Sequence, residues 1–306
     1  MFYLKGMDLS TRVGPLTFST PLLLASGTWG FGKELSAHLD LSRLGGLVTK
    51  GISFKPREGN PPPRLAETPC GLVNAIGLEN PGLNTFRQEI LPELRKHGVP
   101  ILVNIFGESL EDYLAVAEGL KEEEIVALEV NISCPNVEKG GLQFGQDPKA
   151  VRDLVEALAR VSSQPIVVKL SPVGPVKEVA EAALSAGAVA LTVANTYPAL
   201  VVDIYQRRPA LARGLGGLSG PAIKPLTLRL VRELYQAFKA PIIGCGGLSS
   251  AEDVVEYLLC GATAVQIGTA TLLDPQAPAK ILEDLPSLLA KLGVQELKEL
   301  IGALRA

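Results

Sequence analysis

The sequence predicts an α/β fold, a (β/α)8 TIM barrel with an N-terminal β-hairpin and lid insertions after strands 2 and 6, and three observations predict it. Eight short apolar or β-branched runs recur along the chain, most of them separated by enough residues for a helix. Their hydrophobicity is continuous, as parallel strands covered on both faces require. Nearly every run ends in a small or hydrogen-bonding residue, which would collect those residues on one rim of a closed barrel.

Taken in order, residues 11–19, with Gly14-Pro15 at their centre, read as a hairpin that closes the bottom of the barrel. The strands are expected at 22–25, 46–49, 100–105, 126–132, 165–170, 189–194, 241–245 and 263–267. Asp147 and Pro148 read as a cap and a first-turn proline, followed by Val151, Leu154, Val155 and Leu158 at helical spacing. Ser249 and Glu252 have capping-box spacing, Val254, Val255, Leu258 and Leu259 share a face, and Gly261 ends that helix. The connections 51–99 and 195–240 are too long for a bare helix and are expected to be lids; the first is rich in proline and glycine. The rival is a doubly wound open sheet, and the even recurrence of βα units favours closure, with all 306 residues in one barrel domain.

Composition excludes several partners. At 47% hydrophobic and 20% charged residues, with a formal net charge of −3, the chain has no basic excess to attract nucleic acid. No apolar run approaches the roughly 20 residues of a membrane span. The first ten residues mix Lys5 and Asp8 with apolar side chains and lack the pattern of a signal peptide, so a cytoplasmic protein without a membrane partner is expected. The cysteines at 70, 134, 245 and 260 are widely spaced with no C-x-x-C pair, so free thiols and no metal site are expected.

The rim residues point to a ligand. Ser26, Thr49-Lys50, Asn104, Asn131, Lys169, Asn195-Thr196, Gly246-Gly247 and Gly268-Thr269 lie late in, or just after, successive strands. Glycines after the seventh and eighth strands let backbone N–H groups approach a phosphate, and a helix starting near Ser249 would add its positive end. Glycines that merely make turns are the plainer reading of either pair alone. Lys50 and Lys169 stand in strand contexts where a cation is costly unless a ligand or a carboxylate partners it.

At Asn131-Ile132-Ser133-Cys134-Pro135-Asn136 the chain resembles the catalytic loop of class 1 dihydroorotate dehydrogenases. Supporting segments are Asn60 to Arg64 with Glu67-Thr68, Asn74-Ala75-Ile76-Gly77-Leu78, GGLSGPAIKP at 216–225, and 244–247 with 265–269, so the likeness covers almost the whole chain. It implies FMN as cofactor and oxidation of dihydroorotate to orotate in pyrimidine biosynthesis, with hydride leaving C6 for flavin N5 and the C5 proton passing to Cys134 as base. A thiol with a reference pKa of about 8.5 suits a positioned general base. Cys245 and Cys260 are read instead as buried small residues.

The same resemblance implies that Asn74, Asn131, Asn136, Asn195 and Thr196, with backbone N–H groups of Ile76, Gly77 and Leu78, bind the orotate ring and carboxylate. Fixed amides that pair every ring donor and acceptor reject analogues lacking one. It places Lys169 at the pyrimidine end of the flavin and Lys50 between flavin and substrate. Ala25, Ser26, Thr49, Asn104, Asn131, Ser219 and Gly220 complete the flavin site, with Gly246, Gly247, Gly268 and Thr269 on its phosphate. Cysteine at 134, without an apolar N-terminal extension, resembles the soluble class. The 67–78 segment is similar to the B subtype, a homodimer core joined to an FAD and iron–sulfur subunit that passes electrons to NAD. The alternatives left open are the fumarate-reducing A subtype, a related FMN barrel acting on another dihydropyrimidine, a flavin-free phosphate-binding aldolase or isomerase barrel, and a noncatalytic metabolite-binding protein. One departure is Ala199 where the family has glycine, next to an arginine-rich stretch with Arg207, Arg208 and Arg213 that either is solvated or meets a partner.

Overall fold

The computed structural model describes residues 7–32, 36–133 and 144–305. In chain order its strands are β1 (Thr11–Val13), β2 (Leu16–Phe18), β3 (Leu22–Leu24), β4 (Gly46–Val48), β5 (Leu65–Thr68), β6 (Gly71–Asn74), β7 (Ile101–Ile105) and β8 (Ala127–Asn131). They continue with β9 (Ile166–Lys169), β10 (Ala190–Val193), β11 (Tyr197–Leu200), β12 (Val202–Asp203), β13 (Arg208–Pro209), β14 (Leu215–Ser219), β15 (Ile242–Cys245) and β16 (Ala264–Ile267). Eight of these, β3, β4, β7, β8, β9, β10, β15 and β16, pair in parallel in that order, and β16 returns to β3 to close a barrel. Closure rather than an open sheet is therefore the architecture, with strands where the apolar runs fall.

Strand alternation sorts these side chains into two cores. Leu22, Leu47, Val103, Leu128, Val168 and Leu191 pack outward among the helices. Leu23, Val48, Leu102, Ala127, Val167, Ala190, Ile243 and Ala264 form a separate inner cluster with Val13, Leu16 and Phe18. The β1–β2 hairpin, turned at Gly14 with φ 59°, thus plugs the barrel floor as expected. Each fully buried plug side chain contributes about 1.5–3 kcal/mol.

The helix Pro148–Val161 starts where the sequence places it. Asp147 caps it by accepting from Lys149 N at 2.9 Å, and Val151, Leu154, Val155 and Leu158 are its buried face. The helix Ala251–Cys260 is shifted by one residue from the expected cap. Ser250 is the N-cap and Asp253, not Glu252, completes the capping box. Asp253 wins because its carboxylate also accepts from Ser249 N at 2.7 Å and meets Lys224 Nζ at 2.6 Å, contacts that Glu252 does not make. Gly261, with φ 114°, ends the helix.

The two long connections form one structure rather than two separate lids. β5 and β6 from the first pair with β14 and β11 from the second in an antiparallel sheet of order β11-β14-β6-β5. Ala199 takes an ordinary strand position opposite Gly216, so alanine there fits regular pairing. Thr269, just after the last barrel strand, donates to Ser219 Oγ at 2.8 Å, which fixes this sheet at the C-terminal rim. No helix of the described residues is long and apolar enough to cross a membrane.

Candidate active site

Two residues beyond the inward apolar layer, strand alternation places Asn104, Glu129, Lys169, Thr192, Cys245 and Gln266 inside the barrel. Glu129 is fully buried at the centre of this polar layer. Its carboxylate accepts from Asn104 Nδ2 at 2.7 Å, Thr192 Oγ1 at 2.8 Å and Gln266 Nε2 at 2.6 Å, and Lys169 Nζ lies 3.6 Å away. A buried charge is tolerable here because donors surround it. Burial, the largest single influence, would lower the affinity of Lys169 for its proton, but Glu129, chiefly, and Cys245 together outweigh it and hold the ammonium above the ordinary lysine range.

Glu129, Thr192 and Gln266 are missing from the residues the sequence singled out. Their signal was the period of two: an acidic residue in the middle of an apolar run, in register with Asn104 and Lys169. The lysines also need correction as indicators of a ligand, since each has a carboxylate neighbour. Lys169 has Glu129, while Lys50 lies 4.0 Å from Glu79, which itself pairs with Arg64 at 2.7 Å. Cys245 belongs to this layer and is not merely a core filler. Burial pushes its thiol up, opposed by Lys169 and reinforced by Glu129. Cys260 is buried as expected and Cys70 is exposed.

Above the polar layer, the expected substrate amides converge. Asn195 Nδ2 donates to Asn131 Oδ1 at 3.2 Å, and the same oxygen accepts from Ser133 N at 3.1 Å. Tyr113 Oη fixes the strand end by donating to Asn131 O at 2.7 Å, and Asn195 Oδ1 accepts from Thr196 N at 2.9 Å. Asn74 Nδ2 donates to Gly217 O at 3.1 Å across the insertion sheet. The 76–78 loop turns through left-handed Gly77 and Leu78, φ 78° and 59°. Asn60 N donates to Ile76 O at 2.9 Å and Arg57 Nε to Gly77 O at 3.0 Å, pinning the loop through its carbonyls. Among the described residues, the N–H groups of Ile76, Gly77 and Leu78 donate to no protein acceptor.

Most of the other expected cofactor residues follow β15, β16 and β3, which adjoin one another and β10 in the barrel. Gly220, Gly246 and Gly247 have φ of 96°, 151° and 74°, and a Cβ on Gly247 would stand 2.8 Å from Gly220 O. Ala25 N donates to Ile267 O at 2.8 Å beside Gly268, and Ser26 is half-buried. Thr49 is buried, and its Oγ1 accepts from Asn104 N at 3.1 Å. At the N-terminus of the helix Ala251–Cys260, Asp253 of the helix itself accepts from Ser249 N and Ser250 N. Among the described residues, the buried acceptors Asn104 Oδ1 and Gln266 Oε1 have no partner.

Cys134 and Asn136 lie outside the described residues. β8 ends at Asn131, and the described residues stop two positions later at Ser133, whose N–H donates to Asn131 Oδ1. A cavity of about 710 Å³ is lined by Phe31, Lys50, Arg57, Glu79 and Pro81. Of the expected site it shares only Lys50, so it is not the arena in which the amides converge.

The chain matches the family described as dihydroorotate dehydrogenase over residues 8–289. It is 49% identical over 300 residues to a protein of Geotalea daltonii named dihydroorotate dehydrogenase B (NAD(+)), catalytic subunit, covering 97% of this chain and 98% of that one. Proteins of the same name from Geotalea uraniireducens and Maridesulfovibrio salexigens are 50% and 48% identical. The first alignment covers 97% of this chain and 98% of the relative, the second 98% and 99%.

Proposed function

The chain belongs to the dihydroorotate dehydrogenase family, and on that premise we propose that it oxidises dihydroorotate to orotate in pyrimidine biosynthesis, as the catalytic subunit of a B-type, NAD-linked enzyme. The observation that carries this reading is the meeting of Asn131 and Asn195 at the rim, shortly before Cys134 in the chain and next to the glycines that follow β15, where Ala194 N donates to Cys245 O at 2.9 Å.

FMN is the cofactor that fits these residues. Asn104 Oδ1 is a buried acceptor awaiting a donor, and the glycines at 220, 246 and 247 form a cradle that a Cβ on Gly247 would crowd. Ala25, Ser26, Thr49, Lys50, Asn104, Asn131, Lys169, Ser219 and Gly220 would hold its ring and ribityl chain, with Gly246, Gly247, Gly268 and Thr269 at its phosphate. When bound, FMN supplies the two-electron acceptor for the substrate's hydride. Cys134 takes the proton from substrate C5 as general base. Asn74, Asn131, Asn136, Asn195 and Thr196 orient the substrate together with Lys50 and the N–H groups of 76–78. Lys169 stays an ammonium and supplies fixed positive charge where negative charge develops.

Both insertions return to the rim and pair with one another, which supports reading the chain as one barrel domain. Leu200, Val202, Ile204, Tyr205 and Leu215 expose apolar surface on the second insertion. Such a surface suits contact with a second copy in a homodimer or with an FAD and iron–sulfur subunit. A cytoplasmic location goes with this reading.

Flavin analysis with acceptor assays tests it. The purified chain should release FMN, not FAD, on denaturation, and the reduced holoprotein should pass electrons to NAD only once the electron-transfer subunit is added. Direct reoxidation by fumarate would contradict the B-type assignment, and a colourless protein that binds no FMN would contradict the flavin chemistry.

A further inference from the structure

Glu129 has no part in the chemistry above, yet it is fully buried and binds side chains from four other barrel strands. Asn104 of β7, Thr192 of β10 and Gln266 of β16 donate to it, and Lys169 of β9 stands 3.6 Å away. Stability alone is a poor reason for this arrangement, because an apolar side chain of similar volume commonly replaces a buried ion network at no cost.

The geometry gives Glu129 another use. An amide has a donor end and an acceptor end, so committing Asn104 Nδ2 to Glu129 turns Oδ1 the other way, where it is buried and unpartnered. Lys169 Nζ stands 3.6 Å from Glu129 Oε1, close enough for the carboxylate to compensate the ammonium's charge.

We propose that Glu129 is a positioning residue for the flavin pocket, keeping Lys169 charged and presenting Asn104 Oδ1 as an acceptor to an N–H donor of the bound flavin. The proposal rests on the FMN reading above. The titratable groups facing the Lys169 ammonium among the described residues are Glu129 on β8 and Cys245 on β15. The Cys245 thiol is pushed up by burial and stays neutral at ordinary pH, so Glu129 is the counter-charge.

The test measures FMN affinity and the midpoint potential of bound FMN against pH in the wild type, E129Q and the double variant E129Q/K169M. Without its counter-charge a buried lysine loses its proton near neutrality, so E129Q should show an added inflection between about pH 6 and 9 in both quantities. The double variant and the wild type should lack it. A merely structural Glu129 would lower the melting temperature of E129Q without adding an inflection, and E129Q profiles that overlay the wild type overturn the proposal. Should E129Q fail to fold, E129D keeps the charge but withdraws it by one methylene from Asn104 and Lys169. FMN binding weaker by about tenfold is then expected, and unchanged affinity overturns the proposal. FMN binding absent from the wild type would remove the functional reading as well, whereas binding intact there and unchanged in the variants removes this proposal alone.

Discussion

Asn74 Nδ2 donates to Gly217 O at 3.1 Å, and this contact joins the first insertion to the second directly over the barrel mouth. The side chain expected to bind substrate is thus also a stitch between the two segments that cover it. Asn74→Ala should raise KM for dihydroorotate about tenfold, the value of roughly one hydrogen bond, with a smaller effect on the chemical step. Rapid-mixing kinetics over a range of substrate concentrations separate the two, and an unchanged KM would count against the assignment.

Gly247 combines φ 74° with a near approach to Gly220 O, 2.8 Å from any added Cβ. Gly247→Ala faces about 1–2 kcal/mol of left-handed strain before that clash is counted. The expected outcome is a folded chain that loses FMN on dilution or gel filtration, and full flavin retention would argue against a phosphate cradle at this turn.

Lys169 balances a buried carboxylate, so Lys169→Ala leaves Glu129 with its three neutral donors and no cation. Removing one partner of a buried pair costs about 3 kcal/mol, and the flavin should bind more weakly and be reduced more slowly. Melting temperature, FMN occupancy and reduction rate are the measurements. Occupancy and rate both at wild-type values would undo the role given to this lysine.

Asp253 gives a pH-dependent stability. Burial pushes its carboxyl up, but Lys224 at 2.6 Å and the Ser249 donors outweigh burial and hold it below the reference value of 3.8. A depressed folded pKa means the contribution is present above 3.8 and is lost as pH falls through the folded value. Asp253→Asn should therefore cost about 1–3 kcal/mol at neutral pH, with the gap to wild type closing in acid. Denaturant melts at several pH values check the sign, and a gap that widens on acidification would be the wrong one.

The barrel was legible because its strands are apolar on both faces and its helices carry caps such as Asp147. The glycines and asparagines of the rim were legible as punctuation at the strand ends. The centre of the site was not. Glu129, Thr192 and Gln266 sit inside runs that read as uniformly buried, and only the closed barrel shows that alternate positions of different strands share one layer. The lysines follow the same rule: a single strand's sequence shows only its own residues, whereas the carboxylate beside Lys169 comes from the neighbouring strand. The pairing of β14 with β6 joins segments more than a hundred residues apart, which no local pattern encodes. The cap falls at Ser250, one residue beyond Ser249, because two serines stand in succession and Lys224, distant in sequence, helps select Asp253.

Anaerobic single-turnover mixing of the FMN-loaded chain with dihydroorotate, followed by the loss of visible flavin absorbance, tests the central claim most directly. The wild type should bleach within one turnover, Cys134→Ala should keep FMN yet bleach at least about 10²-fold more slowly, and Cys134→Ser should retain a slow rate that rises with pH. Bleaching of the alanine variant at the wild-type rate, or no bleaching of the FMN-loaded wild type, would contradict it.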